Sequence, residues 1–234
     1  MQKLLGFENY LLWFSKFKIA TLKWDDKENH FLYFLELLPN NGIVLDIGAN
    51  IGIMASWLAK KKPEAKIFCY EPIKENYDVL TKIIQGKKYI NVVLHNIALG
   101  AVKGQLKMIM PIIGSAKQQG LSHVYNATEH YDYDGEKYTV DVEKIDDLFI
   151  DEKEHITGIK IDVENFEYQV LLGAQETLKK HKPLLYVELW DNQNRSDCFT
   201  LMKSLGYEIM VLNENELVTF TDEKTQNFFF VWKV

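Results

Sequence analysis

Apolar and polar positions along this chain alternate between two periods, one suited to buried strands and one to amphipathic helices. Ile43-Val44-Leu45 is a continuous apolar run that fits a strand buried on both faces, and the pattern after it predicts a helix over 51–61. The alternation continues with a strand over 66–71, a helix over 74–85 and a third strand with its exit over 91–99. It breaks at 105–113 and 137–142, two β-rich stretches that can pair as an antiparallel excursion. The connection between them, 114–136, is polar and tyrosine-rich and carries Gly114, Gly120 and Gly135. Its length predicts a mobile cover over a site. The rhythm then resumes with a short helix from Asp146, a strand over 158–164, a helix over 167–180, a strand over 183–190 and a helix near 196–205. Strands at 207–212 and 227–234, with a short segment at 217–220, finish the chain. This order predicts an α/β fold with a mostly parallel, doubly wound sheet, helices on both faces and one antiparallel strand near the C-terminus.

Ahead of this unit, Leu4, Phe7, Leu11, Phe14 and Phe17 recur at helical spacing, and a second helix is expected over 26–38, capped by Asp25 or Asp26 and stopped at Pro39. The expected organisation is an N-terminal helical cap, 1–41, on a main domain, 42–234. The aromatic load of the cap fits packing on that domain, a substrate lid, a membrane-surface helix or a homodimer through these helices.

Composition narrows the class. The 234 residues are 47% hydrophobic, enough for a full core. The net charge is −6, and Lys60-Lys61-Lys62 reads as a helix C-terminus rather than a nucleic-acid patch. Cys69 and Cys198 have no metal or redox spacing and fit a reduced, cytoplasmic protein. No apolar run approaches the ~20 residues that span a bilayer, and Leu11-Leu12-Trp13-Phe14 lacks the flanks of a signal peptide.

Candidate chemistry begins where the first strand ends. Asp46-Ile47-Gly48-Ala49-Asn50-Ile51-Gly52 reads as strand, glycine turn and helix, a nucleotide-binding corner. Glu71 ends the next strand 19 residues after Gly52, the spacing at which a carboxylate accepts hydrogen bonds from a ribose diol. The turn is not G-x-G-x-x-G. Asp46 beside it would repel a diphosphate but attract the sulfonium and ammonium of S-adenosylmethionine. Farther on, Lys160, Asp162 and Glu164 alternate with Ile159, Ile161 and Val163 and are expected on one face, with Asp162 and Glu164 at the ligand-binding end of the sheet or Lys160 and Asp162 as a structural pair. His123 in the long connection is either a solvated bystander or a general base. Asp162 and Glu164, with Glu188 and Asp191, form too thin a set to call a metal site.

Several blocks together resemble the FkbM-type methyltransferases: Asp46 to Gly52, Tyr70-Glu71-Pro72, Ile97-Ala98-Leu99-Gly100, Lys160-Ile161-Asp162-Val163-Glu164, Leu172-Gly173-Ala174, and Lys182-Pro183 with Val187-Glu188. The resemblance covers about 42–190, and the Lys-Ile-Asp-Val-Glu block with the downstream Leu-Gly-Ala is its specific part. It implies a Rossmann-like class I methyltransferase fold with a seven-stranded sheet, S-adenosylmethionine as cofactor, and methyl transfer to a hydroxyl of a saccharide, glycoconjugate or natural product. Carried over by position, Asp46, Gly48, Asn50 and Gly52 line the methionine end of the cofactor and Glu71 holds the ribose. Asn96 and Ala98 border the adenine, and Asp162 reaches the amino-acid end or the methyl. Asn165 departs from the family's glycine, although Asn tolerates the left-handed conformation best among non-glycine residues. The alternatives are a non-catalytic S-adenosylmethionine-binding module and a nucleotide-cofactor oxidoreductase. A nucleic-acid methyltransferase is disfavoured by the acidic balance and by the absence of the Asn/Asp-Pro-Pro-aromatic turn after strand four.

Overall fold

The computed structural model describes residues 2–114, 116–125 and 134–233. Within them the apolar runs become the strands of an eight-stranded sheet. Its members are β1 (Asn41–Ile47), β2 (Glu64–Tyr70), β3 (Val92–His95), β9 (Ile156–Ile161), β10 (Leu184–Glu188), β11 (Tyr207–Asn213), β12 (Glu216–Thr219) and β13 (Asn227–Trp232), in the order β12-β11-β13-β10-β9-β1-β2-β3. β3, β2, β1, β9 and β10 run parallel. β13 runs against both β10 and β11, and β12 against β11. The sheet therefore has eight strands and two reversed ones, where seven and one were expected. Glu214, in a left-handed conformation (φ 54°), turns 216–219 back along β11 as the additional strand.

β1 shows why the central strands read as unbroken apolar runs. Ile43 and Leu45 pack on one face of the sheet with Ile159, Leu185 and Phe228, while Val44 packs on the other with Ile67, Tyr186 and Phe229. Helices cover both faces: α1 (Gln2–Leu5), α2 (Phe7–Thr21), α3 (Asn29–Leu37), α4 (Ile53–Lys61), α5 (Lys74–Gly86), α6 (Ile145–Phe149), α7 (Glu167–Leu172), α8 (Gln175–His181) and α9 (Gln193–Ser204). The helix expected over 167–180 is broken between α7 and α8 at Gly173, where a Cβ would lie 2.1 Å from the Gly100 carbonyl oxygen, a backbone approach that glycine alone permits. The N-terminal helices share the main core. Phe31 and Phe34 of α3 are fully buried among Val44, Tyr186 and Phe229, each contributing about 1.5–3 kcal/mol. Leu11 and Ile19 of α2 pack with Val79 and Ile83 of α5.

The expected third strand splits in two. Val92–His95 stays in the main sheet as β3, while β4 (Ala98–Leu99) joins a second sheet, β4-β8-β5-β6. There β5 (Gly104–Ile113) and β8 (Asp134–Glu143) form the expected antiparallel pair, with β6 (Ala116–Lys117) and β7 (His123–Val124) both on β5. The connection foreseen as a cover thus has structure over 116–124, and residues 115 and 126–133 of it lie outside the described residues.

Candidate active site

The site forms where the carboxyl ends of β1, β2 and β9 meet, the crevice position of open α/β sheets. The turn after β1 uses three left-handed residues, Gly48 (φ 78°), Asn50 (φ 48°) and Gly52 (φ 82°). Two of these glycines make room for the protein itself. A Cβ on Gly48 would lie 1.8 Å from the Asp162 carbonyl oxygen, and one on Gly52 would lie 2.7 Å from Leu80 Cδ1. Asn50 takes the third left-handed position with the residue type that tolerates it best after glycine.

Glu71 directly follows β2 and is almost fully buried. Its Oε2 accepts from the Asn50 backbone N–H (2.9 Å), and its Oε1 accepts from the Ile73 N–H (2.9 Å) and from Asn76 Nδ2 (3.3 Å). A carboxylate offers about four lone-pair positions, so one remains on Oε2. Burial raises the Glu71 pKa to about 7 against the lowering effect of these donors.

Asp46 and Lys160 face each other across β1 and β9. Lys160 Nζ donates to the Gly48 carbonyl at 2.8 Å and lies 3.4 Å from Asp46 Oδ1 and 3.6 Å from Asp162 Oδ2. Burial pushes the Asp46 carboxyl up and Lys160 opposes that shift. In Lys160, burial pushes down, but the charges of Asp46 and Asp162 carry the ammonium above its ordinary value. Asp46 is fully buried and lines neither cleft, and the cation beside it is Lys160, within the chain.

β9 ends at Ile161, so Asp162 and Glu164 lie beyond it, and strand alternation does not place Glu164 as expected. A pair of left-handed residues, Glu164 (φ 54°) and Asn165 (φ 70°), turns the chain there. Glu167 Oε1 braces this turn by accepting from the Val163 and Asn165 N–H groups, both at 3.2 Å, and Asn165 Oδ1 accepts from Asn192 Nδ2 at 2.6 Å. The asparagine that departs from the family's glycine therefore keeps the left-handed turn.

Two clefts meet here. One, of about 660 Å³, runs from Gly48 and Asp162 past Glu71 to an apolar slot of Ile73, Ala98, Leu99 and Met108. The other, of about 840 Å³, is walled by Phe14, Glu28, Met54 and Glu188. Gly48, Asn50, Gln119, Gly120, Asp162 and Glu164 line both. Burial first, then the charges of Asp162 and Glu188, raises Glu164 to about 8. Burial, then Asp162, raises Glu188 to about 7.

Of the residues singled out in the sequence, Gly48, Asn50, Glu71, Ala98, Asp162 and Glu164 line the first cleft. Gly52 sits behind it as the N-cap of α4. Asn96 is outside the lining, its Nδ2 donating to the carbonyls of Glu71 (2.8 Å) and Pro72 (3.0 Å), which fixes the exit of β2. His123 is also outside. Ser122 and Val124 on either side of it line the cleft, and alternation along β7 turns His123 to the opposite face, where Nδ1 lies 2.8 Å from the Leu121 carbonyl. Sequence reasoning did not place Phe14 and Glu28 at the site, because nothing in a helical stripe says which member reaches a cleft. It named Glu188 within the Val187-Glu188 block and as a supplementary metal ligand, without placing it in a cleft, although Glu188 ends a parallel strand as Glu71 nearly does.

The residues fit S-adenosylmethionine. The apolar slot suits an adenine, Glu71 keeps one acceptor for a ribose hydroxyl, Asn50 Oδ1 is buried with no partner, and Asp162 stands at the junction of the clefts. When bound, the cofactor supplies an electrophilic methyl group.

A family model described as the methyltransferase FkbM domain matches residues 46–210. Among curated relatives, Methyltransferase sdnD of Sordaria araneosa is 25% identical over 201 residues, covering 76% of this chain and 78% of that protein. Methyltransferase 1 of Beauveria bassiana (strain ARSEF 2860) is 23% identical over 199 residues, covering 76% and 77%. The crystal structure of Methyltransferase FkbM from Methylobacillus flagellatus KT superposes with a TM-score of 0.56 at 19% identity, over 84% of this chain and 45% of that one, so this chain spans less than half of that protein's length. An S-adenosylmethionine-dependent O-methyltransferase of Thermotoga maritima shares the fold at a TM-score of 0.50 and 12% identity, over 92% and 69%. These matches decide for methyl transfer over the oxidoreductase and the non-catalytic module. The chain belongs to the FkbM methyltransferase family, S-adenosylmethionine-dependent enzymes of the Rossmann-like class I fold.

Proposed function

We propose that this enzyme methylates a hydroxyl oxygen of a saccharide, glycoconjugate or other small natural product. The observation that supports this reading is the second cleft, where Glu28, Asp162, Glu164 and Glu188 converge beside the junction with the cofactor cleft. Carboxylates accept hydrogen bonds from hydroxyls and repel phosphates, so this wall suits an uncharged polyol better than a nucleic acid. Phe14 and Met54 add apolar surface on which a sugar ring or an aglycone can rest. An acceptor hydroxyl loses its proton as its oxygen forms the new bond to carbon, and a positioned carboxylate that takes the proton is worth about 10²–10⁴-fold. Glu164 and Glu188, with their raised pKa values, are placed for that exchange, and Asp162, beside Lys160, orients the acceptor. Two buried free cysteines, Cys69 and Cys198, support a cytoplasmic location, and among the described residues no helix is long and apolar enough to cross a membrane.

The test is release of S-adenosylhomocysteine across a panel of neutral saccharides and glycosylated metabolites, with deoxy analogues as controls. Turnover that disappears with the matching deoxy analogue supports the reading. Methylation confined to amines or to nucleic acid would overturn it.

A further inference from the structure

Helix α2 has two unlike sides. Leu11, Ser15 and Ile19 are buried, and Phe14 lines the second cleft. Outward, Trp13, Phe17, Ala20 and Trp24 follow at i, i+4, i+7 and i+11, the spacing of one helical face prolonged through the 3₁₀ turn Leu22–Trp24, and all four are exposed. Trp13 is 48% exposed, Phe17 50% and Trp24 70%. The Trp13 and Phe17 rings stack with centroids 5.6 Å apart, yet each leaves about half its surface in water. Leu4 and Leu5 of α1 are exposed as well. Concentrated aromatic surface of this kind on a soluble fold marks an interaction site.

The charges around the patch narrow the partner. No Asp or Glu occurs from Asn9 to Trp24, whereas Lys16, Lys18 and Lys23 do. Lys18 is held by Asp25, while Lys16 and Lys23 are exposed and Lys23 Nζ stands 4.3 Å over the Trp24 ring. Trp57 Nε1 donates to the Ile19 carbonyl at 3.0 Å, and Lys61 stands 5.9 Å over the Trp57 ring, which brings another cation to the C-terminal end of α2.

We propose that this face docks on an anionic lipid bilayer, with Trp13, Phe17 and Trp24 at the headgroup level and Lys16 and Lys23 against lipid phosphates. Tryptophan with flanking lysine suits that boundary because the ring is apolar with one polar edge and the long lysine stem reaches the headgroups. A second copy of the chain suits the patch less well. A two-fold interface sets the same surface against itself and would bring Lys16 and Lys23 to their own copies with no acid in the stretch to offset them. The overall charge of −6 does not prevent docking, since charges farther than about 8–10 Å from the surface are largely screened at physiological salt.

Flotation of the full chain with vesicles of phosphatidylcholine alone, or of phosphatidylcholine with phosphatidylglycerol, tests this. The chain is expected to float with the anionic vesicles and to stay behind with the neutral ones. The triple variant W13A/F17A/W24A and the charge variant K16E/K23E should each lower the partition by about tenfold or more. Both should keep the wild-type unfolding temperature and the wild-type affinity for S-adenosylhomocysteine. The proposal is overturned if the wild-type chain does not float, or if the variants float equally well. It is also overturned if light scattering finds a dimer that W13A/F17A/W24A converts to monomer while no form binds vesicles.

Discussion

Lys160 Nζ lies 3.4 Å from Asp46 Oδ1 across the two central strands, with both side chains almost completely buried. The same ammonium holds the Gly48 carbonyl and reaches Asp162, so one cation ties the floor of the sheet to the cofactor turn and to the cleft wall. Removing one partner of such a pair strands the other charge away from water. Lys160→Met is expected to destabilise the fold by about 3–5 kcal/mol, read from urea unfolding, and the double variant K160M/D46N should recover most of the loss. If the single variant unfolds at the wild-type urea concentration, the pair has no structural role.

The Gly48 turn makes a steric prediction. A methyl group at Gly48 meets the Asp162 carbonyl oxygen and demands a left-handed alanine, whereas a Cβ at Gly120, on the opposite wall, meets nothing within 4 Å. Gly48→Ala should weaken S-adenosylhomocysteine binding by about tenfold or more, because a strained turn of this kind costs of order 1–3 kcal/mol. Gly120→Ala should bind like the wild type. Calorimetric titration of both variants decides the matter, and equal affinities would show that the turn yields without cost.

A ribose-binding role for Glu71 predicts a pH-dependent cofactor site. We propose that the ionised carboxylate accepts a ribose hydroxyl, and burial has raised its pKa to about 7. Binding favours the ionised form, so affinity should be full above about pH 7 and should fall as the pH drops through that value, by up to tenfold per unit. A charge-assisted hydrogen bond is worth about 1.5–3 kcal/mol, so Glu71→Ala should cost about ten- to a hundredfold in affinity at pH 8. Glu71→Gln should abolish the pH dependence. A wild-type protein whose affinity is flat from pH 6 to pH 8 would remove Glu71 from the binding equilibrium.

How far the sequence discloses this site depends on how local each signal is. The strand, glycine turn and helix around Asp46–Gly52 are contiguous, and their left-handed positions are written in Gly48, Asn50 and Gly52. Glu71 is reached by spacing because a βα unit has a nearly fixed length. The pairing of Asp46 with Lys160 is not local: it exists because β1 and β9 are neighbours with those residues in register, which no periodicity within either strand reveals. Phe14 and Glu28 reach the cleft through the packing of α2 and of the turn before α3 on the sheet, and His123 leaves it because β7 pairs with β5 in one register rather than the next. A slip of one residue would have exchanged His123 with its neighbours.

The remaining prediction concerns the proton. Glu164 and Glu188 line the second cleft with Asp162, and both carry pKa values raised first by burial and then by the Asp162 charge, to about 8 and about 7. Near neutrality each is therefore partly protonated, and the form able to accept a proton from an acceptor hydroxyl gains population as the pH rises. With a true acceptor, kcat/KM should climb through pH 7–8, and the two apparent pKa values belong to the pair rather than to either residue. Glu164→Gln and Glu188→Gln should each lower kcat by about 10²-fold or more if that residue is the base, whereas loss of the other should shift the profile toward lower pH by removing a like charge. Asp162→Asn keeps the shape of the junction and removes the charge facing Lys160, so it should raise KM for the acceptor and slow the reaction while the fold persists. His123→Ala should leave kcat unchanged, because that imidazole faces away from the cleft. Wild-type kcat in both glutamine variants, together with a flat pH profile, would show that alignment alone carries the transfer and that no carboxylate takes the proton.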